Sequence, residues 1–185
     1  MMNVLVPLAK GFEEIEAVSI IDVLRRANIE VIVASLDEHS HILGAHGIVV
    51  QSDVNIKDVS VDILDMIVLP GGWGGTYALA DNKIVQSILK DMDANGKNIG
   101  AICAAPYALN KAGVLKPNFT CYPSVEEEID LEGYQGDKAK VVQEQNIMTS
   151  RGPATAICFA LEIVKKLKGQ EEYETVKSGL LADFC

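Results

Sequence analysis

Cys103, in the segment Ile99-Gly100-Ala101-Ile102-Cys103-Ala104-Ala105-Pro106, has the best placement for chemistry in this chain. An apolar strand pattern ends there and a helix opens within three residues, so the cysteine sits on a tight strand-to-helix turn. Ala101 and Ala105, two positions to either side, are small, as the close approach of backbone at such a turn requires. This is the small-x-nucleophile-x-small arrangement of a nucleophile elbow, with cysteine in place of serine. Such a turn exposes the sulfur above the sheet at the positive end of the following helix, which predicts a lowered thiol pKa and a reactive thiolate. The competing reading is a free cysteine packed inertly in the core.

Three acids stand in the loop after the first strand, Glu13, Glu14 and Glu16. Glu13 and Glu14 read as ordinary charge at a helix N-terminus. Glu16 lies one turn further in, near the cleft at the strand ends. A carboxylate beside a thiolate repels it, so Glu16 is expected to be held protonated, with a raised pKa. It could then hydrogen-bond the sulfur and pass a proton. Pro70-Gly71-Gly72-Trp73-Gly74-Gly75 follows another buried strand and should face the elbow. It matches neither GxGxxG nor a Walker A loop. Either it is a tight turn, or it aims backbone N–H groups at a developing oxyanion. All three histidines (His39, His41, His46) precede the elbow, in or next to a hairpin pattern, which weakens a Cys-His hydrolase.

The elements that must position these residues follow from the hydrophobic pattern. Strands are expected at residues 4–6, 29–34, 66–69, 99–102, 119–122 and 147–149, and a hairpin at 41–51. Helices are expected at 13–27, 83–95, 106–112 and 153–168, with a short one from 171. Strands lacking polar alternation, separated by amphipathic helices, indicate a three-layer α/β sandwich with a mainly parallel sheet. A site then belongs at the C-terminal strand ends, in the loops after residues 6, 69, 102 and 149. Ile15, Val18, Ile20, Ile21, Val23 and Leu24 cover more of the first helix than a single stripe needs. That surplus suits either a well-covered core helix or a second face that meets a partner chain in a homodimer.

With 185 residues and no linker, repeat or low-complexity tract, residues 1–185 read as a single domain. A formal net charge of −10, from 16 Lys+Arg against 26 Asp+Glu, argues against nucleic acid and anionic membrane as partners. The four cysteines at 103, 121, 158 and 185 are scattered, with no CxxC or Cys/His spacing for a metal and no disulfide framework. Residues 1–9 are apolar but too short for a membrane span and lack a basic lead-in. The expectation is a soluble protein of a reducing compartment, the cytoplasm, with no metal and no cofactor.

Residues 9–16, 68–72, 101–106 and 149–153 together resemble the ThiJ/PfpI superfamily, and within it the branch of the parkinsonism-associated protein deglycase. The match runs essentially end to end, in order and at similar spacing. The resemblance implies a flavodoxin-like fold, a homodimer, and a cytoplasmic protein of oxidative and carbonyl stress. By position, Cys103 matches the family's reactive cysteine and Glu16 the glutamate that contacts it. Gly72 and Ala104 match the positions whose N–H groups face the site. Tyr122 stands where the human member has a histidine, and Gln51 near the place of an additional cysteine, so proton transfers would fall to Glu16 or water. Cys121 is either a resolving thiol or a packed cysteine. The implied activity is a cofactor-independent glyoxalase or deglycase acting on methylglyoxal, other reactive aldehydes, or glycated thiols and amines. A non-enzymatic redox sensor or chaperone working through Cys103 is the alternative, and a peptidase or amidase comes third.

Overall fold

The computed structural model describes residues 2–185. The first half of the chain forms β1 (Asn3–Leu8), α1 (Glu14–Arg26), β2 (Glu30–Ser35), β3 (His41–Leu43), β4 (Val49–Gln51), β5 (Val54–Asn55), β6 (Met66–Leu69), α2 (Trp73–Asp81) and α3 (Lys83–Ala94). It continues with β7 (Asn98–Ile102), α4 (Pro106–Ala112), β8 (Val141–Glu144), β9 (Ile147–Ser150), α5 (Ala156–Lys168) and α6 (Gln170–Gly179). Seven strands make one sheet in the order β5-β2-β1-β6-β7-β9-β8. All neighbours in it are parallel except the edge pair β8–β9. On one side α1 packs on α5 and α5 on α6, while α2, α3 and α4 pack together. This is the expected sandwich: a mostly parallel sheet with helices on both faces.

Burial explains the central strands. Val4, Leu5, Val6, Ile67, Val68, Leu69, Ile99 and Ile102 have no exposed surface, as strands covered on both faces require. α1 carries Glu14 and Glu16 in its first turn and Arg25 and Arg26 in its last, matching the helix dipole. Its Ile20, Ile21, Val23 and Leu24 are buried, whereas Ile15 and Val18 stay exposed. α4 starts with Pro106 and stops at Gly113, whose left-handed φ of 74° suits glycine.

Several elements depart from the expectation. The glycine loop expected at residues 70–75 gives way at Trp73 to α2 (Trp73–Asp81); Gly74 and Gly75 lower helix propensity and so hide it. They are present because the loop after β1 lies against them: a Cβ on Gly75 would meet Phe12 Cα at 3.0 Å. Residues 119–122 form no strand. Phe119 makes only an isolated bridge to Tyr134, and the Thr120 N–H donates to Thr149 Oγ1 instead of a ladder partner. β8 went unnoticed because Gln143 and Glu144 give this edge strand a polar pattern. The hairpin at 41–51 does form, as a two-stranded antiparallel sheet apart from the main one.

The cysteines also sort differently from the expectation. Cys158 on α5 is disulfide-bonded to the C-terminal Cys185, while Cys103 and Cys121 are free. The pairing spans 27 positions and depends on the chain returning along α5 through α6, which no local pattern announces. Disulfides mark oxidising surroundings. Cysteine usage therefore gives no argument for a reducing compartment. No described helix is long and apolar enough to cross a membrane.

Candidate active site

Cys103 follows β7 directly, and its backbone is gripped from two sides. Its N–H donates to the Ser150 carbonyl at the end of β9 (3.0 Å), and its own carbonyl accepts from Tyr122 N–H (2.9 Å). These bonds hold it at φ = 63°, in the left-handed region that side chains other than glycine seldom occupy. A conformation of this kind costs about 1–3 kcal/mol and persists only where its surroundings enforce it. The sulfur ends in a cleft, and the residue is 8% exposed.

Glu16 reaches the same place from the first turn of α1 and is completely buried. Its Oε2 accepts the Gly71 N–H at 2.7 Å. Its Oε1 has no hydrogen-bond partner, although the Cys103 thiol lies close enough to influence how the carboxyl titrates. Gly71 is the spacer between them. A Cβ there would stand 2.6 Å from Cys103 Cβ and 2.8 Å from Glu16 Oε2, so only glycine fits. Gly72 has φ = 85°, and its Cβ would lie 2.4 Å from the Gly11 carbonyl. The N–H groups of Gly72 and Ala104 lie near enough to the sulfur to favour its thiolate.

The electrostatics follow from burial. Desolvation raises the Glu16 carboxyl to about 7, against the lowering effect of the Gly71 N–H and the Cys103 thiol, with Glu13 adding a smaller upward push. For Cys103, burial first and the Glu16 charge second push the thiol up, outweighing the Gly72 and Ala104 N–H groups. The lowered thiol pKa expected from the helix dipole is therefore absent in the presence of an ionised Glu16. α4 has only seven residues, and its dipole is too short to offset desolvation beside a carboxylate. The pair has room for one negative charge, and a proton on either member relieves the other.

The cavity above Cys103 measures about 450 Å³ and is bordered by Glu13, Ala45, Trp73, Tyr122 and Pro153 as well as Gly72 and Ala104. Tyr122 is half exposed at the rim and packs against Gly152, with no histidine among the lining residues. Cys121, one residue earlier, is not among the residues lining this cavity. It is fully buried, its Sγ lies 3.9 Å from Glu126 Oε2, and burial with the Glu126 charge pushes its thiol to about 12. That thiol is a poor partner for exchange with Cys103.

Glu14 was read only as helix-end charge, yet it is buried and holds the hairpin. Its Oε1 accepts the N–H groups of His46 (2.6 Å) and Ile48 (3.3 Å), and its Oε2 lies 2.9 Å from His46 Nδ1. The Ala45 N–H donates to the Phe12 carbonyl as well, so the turn is fastened as one wall of the cavity. Nothing local could have shown this, because the partners lie 32 positions apart. Glu13, Glu14 and His46 place ligand atoms within 4.8 Å of one another, but hydrogen bonds already occupy both Glu14 oxygens. Burial pushes Glu14 up, but the bonds from the His46 ring and the turn outweigh it and bring it to about 2. His46 is raised, by its bond to Glu14 first and the Glu13 charge next. The Glu14 contribution is complete above its ordinary 4.5 and fades as pH falls toward 2. That of His46 is complete below 6.5 and fades as pH rises through its elevated value. Exchange protection of the His46 and Ile48 amides, corrected for intrinsic rates, is therefore expected to peak between pH 4.5 and 6.5 and to flatten in Glu14→Gln. A profile that stays level from well below pH 4.5 to well above 6.5 in the unaltered protein would contradict the latch.

Comparison with known proteins gives the family. The model of the DJ-1/PfpI family matches residues 2–166. The chain is 40% identical over 184 residues to Protein dj-1beta of Drosophila melanogaster, covering 98% of each. It is 36% identical to the glutathione-independent glyoxalase DJR-1.2 of Caenorhabditis elegans, covering 94% of this chain and 90% of that one. Among solved structures, oxidized Toxoplasma gondii DJ-1 superposes with a TM-score of 0.93 at 37% identity, over 98% of both chains. Drosophila DJ-1beta gives the same score at 40% identity, over 97% of both. With its elbow cysteine, its buried glutamate and a likeness that spans the whole domain, the chain belongs to the DJ-1/PfpI family.

Proposed function

We propose that this protein converts α-oxoaldehydes such as methylglyoxal into 2-hydroxy acids without a cofactor, using Cys103 as nucleophile and Glu16 as proton carrier. The observation that carries the reading is the buried Cys103–Glu16 pair, with the N–H groups of Gly72 and Ala104 near the sulfur. The glyoxalase name of the C. elegans relative supports it. With the shared proton on Glu16, the thiolate attacks the aldehyde carbon, forming a C–S bond as the carbonyl electrons move to oxygen. The Gly72 and Ala104 N–H groups hold that oxyanion, and Glu16 protonates it. The Glu16 carboxylate then removes the hydrogen of the former aldehyde carbon as a proton and returns it to the neighbouring carbon, while the proton on the hemithioacetal oxygen passes to the neighbouring oxygen. This leaves the thioester of a 2-hydroxy acid. Water cleaves it, releasing lactate and the Cys103 thiol. The aldehyde carbon is oxidised and its neighbour reduced, so water is the only other reactant. Repair of glycated thiols and amines is a variant of the same chemistry, in which the sulfur attacks the carbon of the adduct and its C–S or C–N bond breaks, releasing the free thiol or amine and leaving the same hemithioacetal.

Metal-free protein is expected to form lactate from methylglyoxal, and Cys103→Ser to lose this activity entirely. Full activity in that variant would sink the reading. A purely redox-sensing protein would form no lactate even in the unaltered state, so the same assay separates the two.

The proposal includes a homodimer, built on α1 and the hairpin. Ile15 and Val18 are exposed on α1, and Ile48 and Val49 on the hairpin that Glu14 ties to that helix. Together they form an apolar surface of the kind that marks an interface between copies. Val18→Glu is expected to sediment as a monomer at concentrations where the unaltered chain is a dimer; unchanged sedimentation would dismiss this surface. A cytoplasmic location belongs to the same proposal and requires Cys158 and Cys185 to be held there as thiols; cell fractionation checks it.

A further inference from the structure

Trp73 is the chain's only tryptophan and opens α2 immediately after Gly72. Its indole stacks on Tyr77, with ring centroids 5.4 Å apart and planes 25° from parallel. Tyr77 in turn meets Tyr107 of α4 edge-on at 5.6 Å. Three rings on two helices thus buttress one another. Trp73 nevertheless remains 40% exposed and is one of the residues lining the cavity that holds Cys103.

Nothing in the methylglyoxal reaction uses this aromatic plane. A three-carbon substrate held by the sulfur, two N–H groups and Glu16 has only a methyl group left to offer. A cavity of about 450 Å³ is within the range of sites for considerably larger molecules. It borders, along Tyr122 and Pro153, a second hollow of about 280 Å³. The lining of the Cys103 cavity includes the acid Glu13 but no lysine or arginine; Arg151 lines only the second hollow, and the chain carries a net charge of −10. The group that fits beside Trp73 in the Cys103 cavity itself is therefore flat, apolar and not anionic.

The geometry points to Trp73 as a specificity-determining residue that favours α-oxoaldehydes bearing an aryl group over methylglyoxal. This inference rests on the α-oxoaldehyde reading above. An aryl ring lying against the indole gains stacking and buried area, and the plane is set in advance by Tyr77 and Tyr107, so little ordering is required on binding. Binding by this non-reacting part of the substrate holds the oxoaldehyde end against the sulfur. The chemistry stays balanced: an arylglyoxal and water give the 2-aryl-2-hydroxy acid by the same internal hydrogen shift.

Two assays on the unaltered protein, Trp73→Ala and Trp73→Phe test this. One compares kcat/KM for phenylglyoxal and methylglyoxal. The other, which needs no turnover, measures how well the unreactive analogues 2-hydroxyacetophenone and hydroxyacetone protect Cys103 from iodoacetamide. The preference for the aryl compound is expected in both assays, to fall about tenfold in Trp73→Ala, and to be retained in Trp73→Phe. Equal preferences in the unaltered protein and Trp73→Ala overturn the assignment and leave the reaction standing. Aryl-selective protection lost in Trp73→Ala, without turnover of either aldehyde, supports the Trp73 site and removes the reaction.

Discussion

A carboxyl group and a thiol packed together inside a protein can hold only one negative charge between them, and the rest of this molecule is arranged around that constraint. Glu16 has no exposed surface and Cys103 very little. With the Glu16 carboxyl raised from 4.5 to about 7, keeping it ionised above neutral pH costs the fold about 3 kcal/mol relative to the unfolded chain. That penalty is absent below pH 4.5 and complete above about 7. A fold of ordinary stability carries such a cost only where other contacts support it. The glycine at 71, which separates the two groups and donates to the carboxylate, the gripped backbone at Cys103 and the fully buried strand ends together do so.

Position does the rest. The three segments that meet at the sulfur follow β1, β6 and β7, neighbouring parallel strands at the centre of the sheet, and β9 adds the carbonyl that holds the Cys103 N–H. Loops that leave a parallel sheet at one edge converge without needing long excursions. α1 serves several demands within its first turns. Glu16 turns inward to the thiol, Glu14 fastens the hairpin that walls the cavity, and Ile15 and Val18 face outward. The surplus of apolar residues on this helix has its explanation in that division: most are core, and two are surface.

Features carried by contiguous residues were legible beforehand. The elbow at Cys103 could be read because strand, small residues, cysteine and helix-starting proline all fall within eight positions. Glu16 could be paired with it once the strand order placed both loops on one edge. Features carried by partners far apart in the chain were not legible. The Glu14–His46 latch and the Cys158–Cys185 bond depend on how the chain returns. α2 was hidden by glycines whose reason for being there is the loop packed against them, and residues 119–122 have a strand's pattern although their backbone bonds go to the Thr149 side chain and to scattered backbone groups such as the Gly133 and Cys103 carbonyls. The direction of the Cys103 shift was missed for a different reason. Helix dipole and neighbouring N–H groups can be inferred from sequence, but the depth of burial that opposes them cannot.

The central claim is that Glu16 keeps its proton far above the usual carboxylate range. Infrared difference spectroscopy of the unaltered protein against Glu16→Gln, followed across pH, isolates this one carboxyl group. The account predicts a protonated carboxyl band that persists above pH 6 and gives way to the carboxylate near 7. Loss of that band around pH 4.5, as for an ordinary glutamate, would contradict it.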